Sequence, residues 1–225
     1  WRVSVMVRSP NDQYVSAEQS FPVHRGSYYI GISPRSYVAK LGVATDIDLI
    51  TIDPQGVFRP ETALDVVVYE FNWNTVYAQE ADGRYYWKSD VRRTPVFTTT
   101  VTTDGNGFST FPFTAERGGQ YQITAVGSDE NGNRISSADY LWASSDDYVS
   151  WRRTNDDRLE LVADKKIYAP GEEATLLIPN PFSGAVQALV TVERNGILAA
   201  EVMQLDASST ELQIPITADH IPNVY

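Results

Sequence analysis

Apolar and polar residues alternate with a period of two in several short segments of this chain. The alternation runs through residues 3–7, 47–52 and 121–125, and a Thr-rich segment at 96–103 follows the same pattern. Successive side chains of a β-strand point to opposite faces, so this period is that of strands with one buried face. No window of ten or more residues has a convincing helical period. The pattern therefore predicts an all-β protein.

Turn residues separate these segments at short intervals, as in a β-sandwich or barrel. Asn-Gly and Asp-Gly supply the positive φ angles that tight hairpins require. Tyr121, which follows a Gly-Gly turn, is expected to anchor a sandwich corner by a hydrogen bond to the backbone. We therefore expect tandem Ig-like, antiparallel β-sandwich domains. The turn signals are Ser9-Pro10-Asn11-Asp12, Asp53-Pro54-Gln55-Gly56, Asp82-Gly83, Asp104-Gly105-Asn106-Gly107, Asn131-Gly132, Pro170-Gly171 and Asn195-Gly196.

A weak internal repeat indicates how the domains follow one another. Residues 3–23 resemble residues 121–142, and residues 37–56 resemble residues 168–181. A period of this length fits sandwiches of about 100 residues plus linkers. The prediction has four parts: closing strands of one domain at 1–33, a complete domain at 36–145, a polar linker at 146–157, and the first strands of a truncated domain at 158–225.

The composition excludes several function classes. The 225 residues have a formal net charge of -11, which is the wrong sign for a nucleic-acid-binding face. No apolar run approaches the length of a membrane span, so we expect any signal peptide or membrane anchor to lie outside this chain. The chain has no cysteine, which excludes disulfides, thiolate metal sites and cysteine nucleophiles, and favours a bacterial source.

No group of residues predicts a catalytic centre, a metal site or a cofactor site. The two histidines, His24 and His220, fall in different predicted domains, so a serine–histidine–acid triad is not expected, and both are interpreted as surface or linker residues. Paired carboxylates could serve a glycosidase, but neighbours on a strand diverge and neighbours in a linker are solvated. These pairs are Asp46/Asp48, Asp146/Asp147, Asp156/Asp157 and Glu172/Glu173.

Residues 129–140 have part of the spacing of a calcium loop. Asp129, Asn131 and Asn133 alternate as ligands would, but an EF-hand needs Gly and Glu where this chain has Arg134 and Tyr140. A hairpin turn is therefore the better interpretation.

Two aromatic clusters, at residues 69–77 and 84–88, fit either a sandwich core or a sugar-stacking platform. The core interpretation is favoured because Tyr69, Phe71 and Trp73 share one face of a strand.

The last third of the chain resembles the bacterial α2-macroglobulin family. A strand ending in Asp164-Lys165 leads into Tyr168-Ala169-Pro170-Gly171-Glu172, and LVTVER follows before Asn195-Gly196. This order, with the later LQIPITADHIPNVY, is similar to the start of the family's bait-region-bearing domain. Upstream, VHRGSYYIGI and ERGGQYQITAVGSDENGN resemble its macroglobulin-like domains more loosely.

Local chemistry agrees with this resemblance. Pro170 presets φ and Gly171 relieves backbone strain at the next position, which predicts a turn. Pro179 and Pro181 are expected to end a strand, because proline cannot donate to the hydrogen-bond ladder. Asn195-Gly196 predicts a tight hairpin.

The resemblance implies a broad-spectrum protease trap. In this family an endopeptidase cuts an exposed bait segment, and the cut releases a conformational change that entraps the protease. Many members then capture it through a Cys-Gln thioester in a separate helical domain, which this cysteine-free chain cannot contain. The bait segment is expected beyond residue 225. We therefore expect a non-enzymatic scaffold in the bacterial periplasm, cell envelope or extracellular space, with endopeptidases and neighbouring macroglobulin-like domains as partners.

The alternative is an Ig-like adhesin or a carbohydrate-binding surface array, because the aromatic clusters around Trp73 and Trp87 could stack on sugars. A downstream helical domain with Cys-x-Glu-Gln would favour the trap. Further Ig-like repeats or a wall anchor would favour the adhesin. An enzymatic function has no group of residues to support it.

Overall fold

The computed structural model describes residues 1–79, 82–152, 158–182 and 184–224. These residues form β-strands and one short 3₁₀ turn, η1 (Ala218–His220), so the predicted all-β class is confirmed. Over these ranges no helix has the length and apolarity needed to cross a bilayer. The strands are β1 (Arg2–Arg8), β2 (Tyr14–Ser20), β3 (Tyr29–Pro34), β4 (Val38–Ala39), β5 (Ala44–Ile52), β6 (Ala63–Gln79), β7 (Tyr85–Thr102), β8 (Phe108–Thr114), β9 (Gly119–Ser128), β10 (Arg134–Ala143), β11 (Val162–Ala163), β12 (Glu173–Pro179), β13 (Val186–Glu193), β14 (Ile197–Leu205) and β15 (Ser209–Pro215).

Two facing sheets make a central β-sandwich. One sheet has the strand order β4-β10-β9-β6-β7 and the other has the order β3-β5-β8. All neighbouring pairs are antiparallel except β4 and β10. The apolar faces of the sheets enclose one core, in which Leu49, Leu64 and Ile123 are fully buried. The alternation predicted at residues 121–125 points into this core.

The domain boundary expected after residue 33 is wrong. Strand β3 pairs along its length with β5, starting with Tyr29 opposite Ile52, so it belongs to the central sandwich. Tyr28 lies beneath β9, where a Cβ on Gly127 would collide with its hydroxyl. A strand pattern shows which face is buried but not which sheet the strand joins, since pairing is non-local.

Four five-residue loops share one backbone design. In each loop the first N–H donates to the fifth carbonyl, and the fourth N–H donates to the first carbonyl. The fourth residue has positive φ in every case, and it is Asp12, Gly56, Gly107 or Gly132. The repeat seen between residues 3–23 and 121–142 thus corresponds to two hairpins with the same loop. The loops span residues 9–13, 53–57, 104–108 and 129–133.

Strands β6 and β7 are longer than their sequence pattern suggests, with 17 and 18 residues. Beyond Phe71, β6 pairs only with β7 in the described residues, so this hairpin continues past the sandwich. Val66 and Val68 face the sandwich core, whereas Phe71 and Trp73 lie on the opposite face of β6. The core face predicted for Tyr69, Phe71 and Trp73 is therefore wrong, because β6 has a second packed face.

The C-terminal part contains a three-stranded sheet, β11-β12-β15, and a separate hairpin, β13-β14. The predicted turn before β12 is confirmed: the Glu172 N–H donates to the Ala169 carbonyl at 3.1 Å and Gly171 has φ of 96°. Strand β12 ends at Pro179, as its missing N–H requires.

The hairpin predicted at Asn195-Gly196 is present. Glu193 pairs with Ile197 after an irregularity in the register, and the Arg194 N–H donates to the Gly196 carbonyl at 3.0 Å. The turn does not use the left-handed backbone that Asn-Gly permits, since neither residue has positive φ.

Candidate functional site

The C-terminal part packs directly against the central sandwich, and we call this contact the junction. Tyr37 and Val38, at the start of the sandwich, form a buried cluster with Val162 of β11 and Leu177 of β12. Trp142, at the end of β10, packs on the cluster. Burial of apolar surface contributes about 25 cal/mol per Å². The cluster therefore stabilises one arrangement of the two parts.

Residues 146–152 are not the solvated linker that their polar composition suggests. Val149 and Trp151 are only 5% and 9% exposed and belong to the junction cluster. The Trp151 indole N–H donates to the Ser208 carbonyl. Val149 and Trp151, which are two residues apart, therefore point into the junction, whereas Asp146 and Asp147 are exposed to solvent. The rest of the expected linker, residues 153–157, lies outside the described residues.

Two consecutive serines, Ser208 and the first residue of β15, Ser209, bind the backbone of residues 145–149. The Ser209 hydroxyl accepts the Ser145 N–H at 2.9 Å and donates to the Ser145 carbonyl at 2.8 Å. The Ser208 hydroxyl accepts the Val149 N–H and donates to the Asp147 carbonyl, both at 2.8 Å. Each hydroxyl thus pairs two backbone groups that the junction removes from a regular ladder.

Asp164 organises the loop that carries the family-like Tyr-x-Pro-Gly motif. Its carboxylate accepts the Tyr168 hydroxyl at 2.6 Å and the Thr175 N–H at 2.8 Å. Its carbonyl accepts the Tyr37 N–H at 2.8 Å, across the junction. Burial and the hydrogen bond to Asp164 raise the pKa of Tyr168 to about 12, so its hydroxyl keeps its proton at neutral pH. This loop therefore docks the C-terminal part onto the sandwich.

Lys166 covers the outer side of the same contact. Its Nζ lies 3.9 Å from Asp139 Oδ2 and 4.8 Å from the centre of the Tyr37 ring, and the Tyr37 hydroxyl donates to Asp139 at 3.1 Å. The interaction with Tyr37 is the main cause that raises the pKa of Lys166. Because Lys166 is 72% exposed, water screens the ion pair and its contribution to stability is small.

A cavity of about 840 Å³ opens beside the junction and is lined by aromatic residues of both parts. Trp73 and Trp87, the two residues considered for sugar stacking, lie on its wall together. The Trp73 indole N–H donates to Gln120 Oε1 at 3.2 Å, and the Arg152 guanidinium carbon lies 5.4 Å from the Trp73 ring centre. The Trp73 ring is therefore already engaged by polar groups of the chain.

Tyr121 forms the corner predicted from the sequence. Its hydroxyl donates to the Arg117 carbonyl at 2.7 Å, and its ring is 2% exposed. Burial, followed by the nearby charge of Glu70, raises the pKa of Tyr121 to about 12. This corner fixes where the chain enters β9 and carries no reactive group.

The two histidines are not brought together with a nucleophile. His24 is exposed, and its Nδ1 contacts the Tyr29 hydroxyl. His220 is partly buried at the end of η1, where its Nδ1 accepts the Thr217 N–H at 3.3 Å. Neither contact includes the serine and carboxylate that a triad would need.

Asp46 and Asp48 share one face of β5, so the expectation that they diverge is wrong. They are two residues apart, which is the period of a strand. The Arg35 guanidinium donates to Asp46 at 2.9 Å and to Asp48 at 3.0 Å, and the Thr110 hydroxyl donates to Asp48 at 2.7 Å. The Arg35 hydrogen bond lowers the pKa of Asp48. The pair is thus engaged in a surface ion pair.

The remaining carboxylate pairs have separate surroundings. Glu172 accepts a hydrogen bond from Lys165 at 2.9 Å, which lowers the pKa of Glu172, while Glu173 begins β12. Asp146 and Asp147 are exposed. The last pair, Asp156/Asp157, lies outside the described residues.

The segment with calcium-loop spacing is a hairpin turn, as predicted. Asp129 Oδ1 accepts the Asn131 and Asn133 N–H groups at 3.0 and 2.8 Å, and Oδ2 accepts the Ser27 N–H at 3.1 Å. Oδ2 also accepts the Asn133 side-chain amide at 3.0 Å, so the carboxylate is committed to donors of the loop and of Ser27. In the part of the chain that the structure describes, no group of three or more His, Asp or Glu side chains is placed to hold a metal ion.

Sequence reasoning missed the residues that build the junction. Ser208 and Ser209 have the composition of an ordinary turn, and Trp151 stands in a polar segment. A tryptophan and a valine two residues apart are the one signal in that segment that could have predicted burial.

The fold and the junction define a class of protein: consecutive antiparallel β-domains held together by a packed connection. Residues 30–139 match the model of bacterial macroglobulin domain 6, and residues 159–225 match that of the alpha-2-macroglobulin bait region domain. The chain belongs to the alpha-2-macroglobulin family, and the family indicated by the sequence resemblance is confirmed.

Relatives with curated descriptions agree with this family. The alpha-2-macroglobulin homolog of Nostoc sp. is 26% identical over 223 residues, which cover 99% of this chain. The alpha-2-macroglobulin of Pasteurella multocida is 23% identical over 205 residues, which cover 89% of this chain. The chain spans 12% and 10% of the lengths of these two proteins.

A solved structure shows the same fold. The native conformation of Escherichia coli alpha-2-macroglobulin matches 96% of this chain and 14% of that chain, with 20% sequence identity and a TM-score of 0.50.

Proposed function

We propose that this chain is scaffold of a bacterial α2-macroglobulin-like protease inhibitor, in which it mounts the bait-region domain on a macroglobulin-like sandwich. The observation that carries the proposal is the junction. It packs the part of the chain that matches the bait region domain against the part that matches domain 6. The chain's own contribution is mechanical, and no bond chemistry is assigned to it.

The contacts of the junction suit this role. Apolar burial around Trp151 resists separation, and the Ser208 and Ser209 hydrogen bonds restrict sliding because they need defined distances and angles. A strain released at a cut bait segment would therefore move both parts together.

Protease trapping is tested on the parent protein that contains this chain. It is treated with trypsin or elastase at a ratio that gives one cut in the bait segment. We expect a faster native-gel mobility after the cut, and a bound protease that still cleaves a small chromogenic substrate but not a large protein. Progressive digestion with neither compaction nor protection would contradict the proposal.

We further propose that the parent works outside the cytoplasm, in the bacterial periplasm or cell envelope, with endopeptidases and neighbouring macroglobulin-like domains as partners. Membership of this family supports the proposal, since endopeptidases are the targets that the family resemblance implies. Cell fractionation with an antibody against this chain tests the location, and recovery in the cytoplasmic fraction alone would contradict it.

Carbohydrate binding is the second candidate, because the structure places Trp73 and Trp87 on the wall of one cavity. The contact of Arg152 with the Trp73 ring weighs against it. A glycan array decides: micromolar binding that is lost in Trp73→Ala and in Trp87→Ala would support carbohydrate binding, and no binding would reject it.

A further inference from the structure

Glu70 is a buried carboxylate for which the described residues provide no partner. It lies on β6 between Thr94 of β7 and Tyr121 of β9, and it is 9% exposed. No hydrogen bond or ion pair reaches its carboxylate from the part of the chain that the structure describes. The residue is largely buried, but its carboxylate keeps access to solvent, because no group of the described residues completes its hydrogen bonding.

The carboxylate lines a cavity of about 590 Å³, which we call the Glu70 pocket. Three aromatic rings share its wall: the Phe97 and Phe113 centroids are 5.9 Å apart, and those of Phe113 and Tyr121 are 5.4 Å apart. None of the fully enclosed side-chain oxygens of the described residues lacks a hydrogen bond, so the Glu70 oxygens must reach the open space of the pocket.

The pocket opens at an edge of the sandwich. Phe97 comes from β7 and Phe113 from β8, and these strands are the edge strands of the two facing sheets. Pro112, which also lines the pocket, cannot donate a backbone hydrogen bond, so it discourages pairing of another strand with β8 at this point. An approaching polypeptide would therefore meet the pocket with a side chain.

One carboxylate among aromatic rings selects an organic cation. A guanidinium group forms two parallel hydrogen bonds with a carboxylate, and its planar charge is attracted to aromatic faces. The net charge of -11 adds a long-range attraction for cations. At the rim, the charges of exposed Glu116 and Arg117 are opposite and offset each other. Glu70 therefore gives the pocket its net negative charge.

We infer that the Glu70 pocket binds the guanidinium or ammonium group of an arginine or lysine side chain on a partner polypeptide. Glu70 neutralises the charge of this group, and Phe97, which is less buried than Phe113 and Tyr121, contacts the stem of the side chain.

The test is an NMR titration of the full chain with the peptide acetyl-Gly-Arg-Gly-amide. We expect saturable shifts of the Phe97, Phe113 and Tyr121 ring signals with a Kd of about 1 mM or below. The same peptide with citrulline, which has the shape of arginine without its charge, should give no saturable shift. Equal binding of both peptides, or no saturation by the arginine peptide at about 10 mM, would overturn the inference.

Matched variants locate the site. Glu70→Gln keeps the shape of the side chain. It should raise the Kd of the arginine peptide at least about tenfold, because the charge-assisted hydrogen bonds are lost. Glu116→Gln removes an exposed carboxylate at the rim and should change the Kd less than about twofold. If the two substitutions changed the Kd equally, general electrostatic attraction would explain the binding. The assignment of the site to Glu70 would then be overturned.

Two further binding measurements identify which group occupies the Glu70 pocket. If ethylguanidinium binds as tightly as the peptide, the pocket takes a free cation and the partner polypeptide is rejected. If the arginine peptide binds only to Arg117→Gln and not to the unsubstituted chain, Arg117 itself occupies the pocket in solution and the inference is overturned. The inference stands if the peptide binds the unsubstituted chain more tightly than ethylguanidinium does.

Discussion

At the scale of single residues, hydroxyl and carboxylate groups of side chains complete backbone hydrogen bonding where regular strands end. Tyr121 does so at the sandwich corner, Asp129 in the β9-β10 loop, and Ser208 and Ser209 at the junction. A backbone group that is buried without a partner costs about as much as a lost hydrogen bond. Removal of one such side chain should therefore have a measurable effect on stability.

Tyr121→Phe removes the hydroxyl that donates to the Arg117 carbonyl and leaves the ring in place. We expect the free energy of unfolding to fall by about 1 kcal/mol, the usual net value of such a hydrogen bond. Urea denaturation followed by fluorescence measures the change. Tyr148→Phe, at a residue that is 84% exposed, is the matched control and should leave the midpoint unchanged. Equal midpoints for both variants would show that the corner hydrogen bond adds no stability.

Asp129 links stability to acid pH. Hydrogen bonds, that from the Asn133 side chain first, lower its pKa in the folded chain. An unfolded aspartate has a pKa of about 3.9, so the ionised form stabilises the fold above about pH 4, and this contribution is lost as the pH falls through the folded pKa. Asp129→Asn should be less stable than the unsubstituted chain at pH 7, and the difference should narrow below about pH 4.

Denaturation curves at pH 7 and at acid pH test this expectation, with Asp146→Asn as the control at an exposed carboxylate. A difference between Asp129→Asn and the unsubstituted chain that stays constant with pH would contradict it.

Local geometry decides which residue roles the sequence can predict. The Tyr121 corner and the Asp129 turn follow from neighbours within four residues, and both were predicted. The roles of Ser208 and Ser209 depend on a segment about 60 residues away, so no local pattern indicates them. The incorrect expectation for Asp46 and Asp48 arose because adjacent residues on a strand diverge but alternate ones do not.

At the scale of elements, the five-residue loops connect strands by a common rule. A residue with positive φ at the fourth position lets the chain reverse, and glycine adopts this conformation without steric cost. Asp12 shows that an aspartate can also adopt it, with φ of 62°.

Alanine substitution of two glycines in similar loops distinguishes the effect of backbone strain from that of steric crowding. A Cβ would meet open space at both Gly132 and Gly105, but only Gly132 has positive φ. Gly132→Ala should lower the free energy of unfolding by about 1 kcal/mol, whereas Gly105→Ala should be neutral or slightly stabilising because it restricts the unfolded chain. Denaturant midpoints compare the two variants, and an equal loss in both would show that φ is not the cause.

Turns were predicted better than the extent of strands. The loop at 129–133 and the turn at Pro170-Gly171 depend on the backbone preferences of a few residues. The lengths of β6 and β7, and the place of β3 in the central sandwich, depend on pairing between distant segments. Pairing of this kind leaves no mark in the sequence of one strand.

At the scale of the whole molecule, the junction decides whether the chain behaves as one unit. Trp151 contributes apolar area and an indole hydrogen bond to it. Trp151→Ala should lower the free energy of unfolding by about 3 kcal/mol, as large-to-small substitutions in a packed cluster do. Trp1→Ala, at a residue that is 78% exposed, is the control and should change the stability by less than about 0.5 kcal/mol. Calorimetry should also show an earlier, separate transition in Trp151→Ala, and one unchanged transition would contradict the coupling of the two parts.

The proposal that this chain is a rigid scaffold is tested most directly by the distance between the central sandwich and the C-terminal part in solution. Because the chain has no cysteine, Gln55→Cys on the sandwich and Gln213→Cys on β15 accept two spin labels at exposed positions. Double electron–electron resonance should give one narrow distance distribution, as narrow as that of a Gln55→Cys/Thr98→Cys pair within the sandwich, and Trp151→Ala should broaden it. A broad distribution in the chain with Trp151 intact would contradict a rigid scaffold for the bait-region domain.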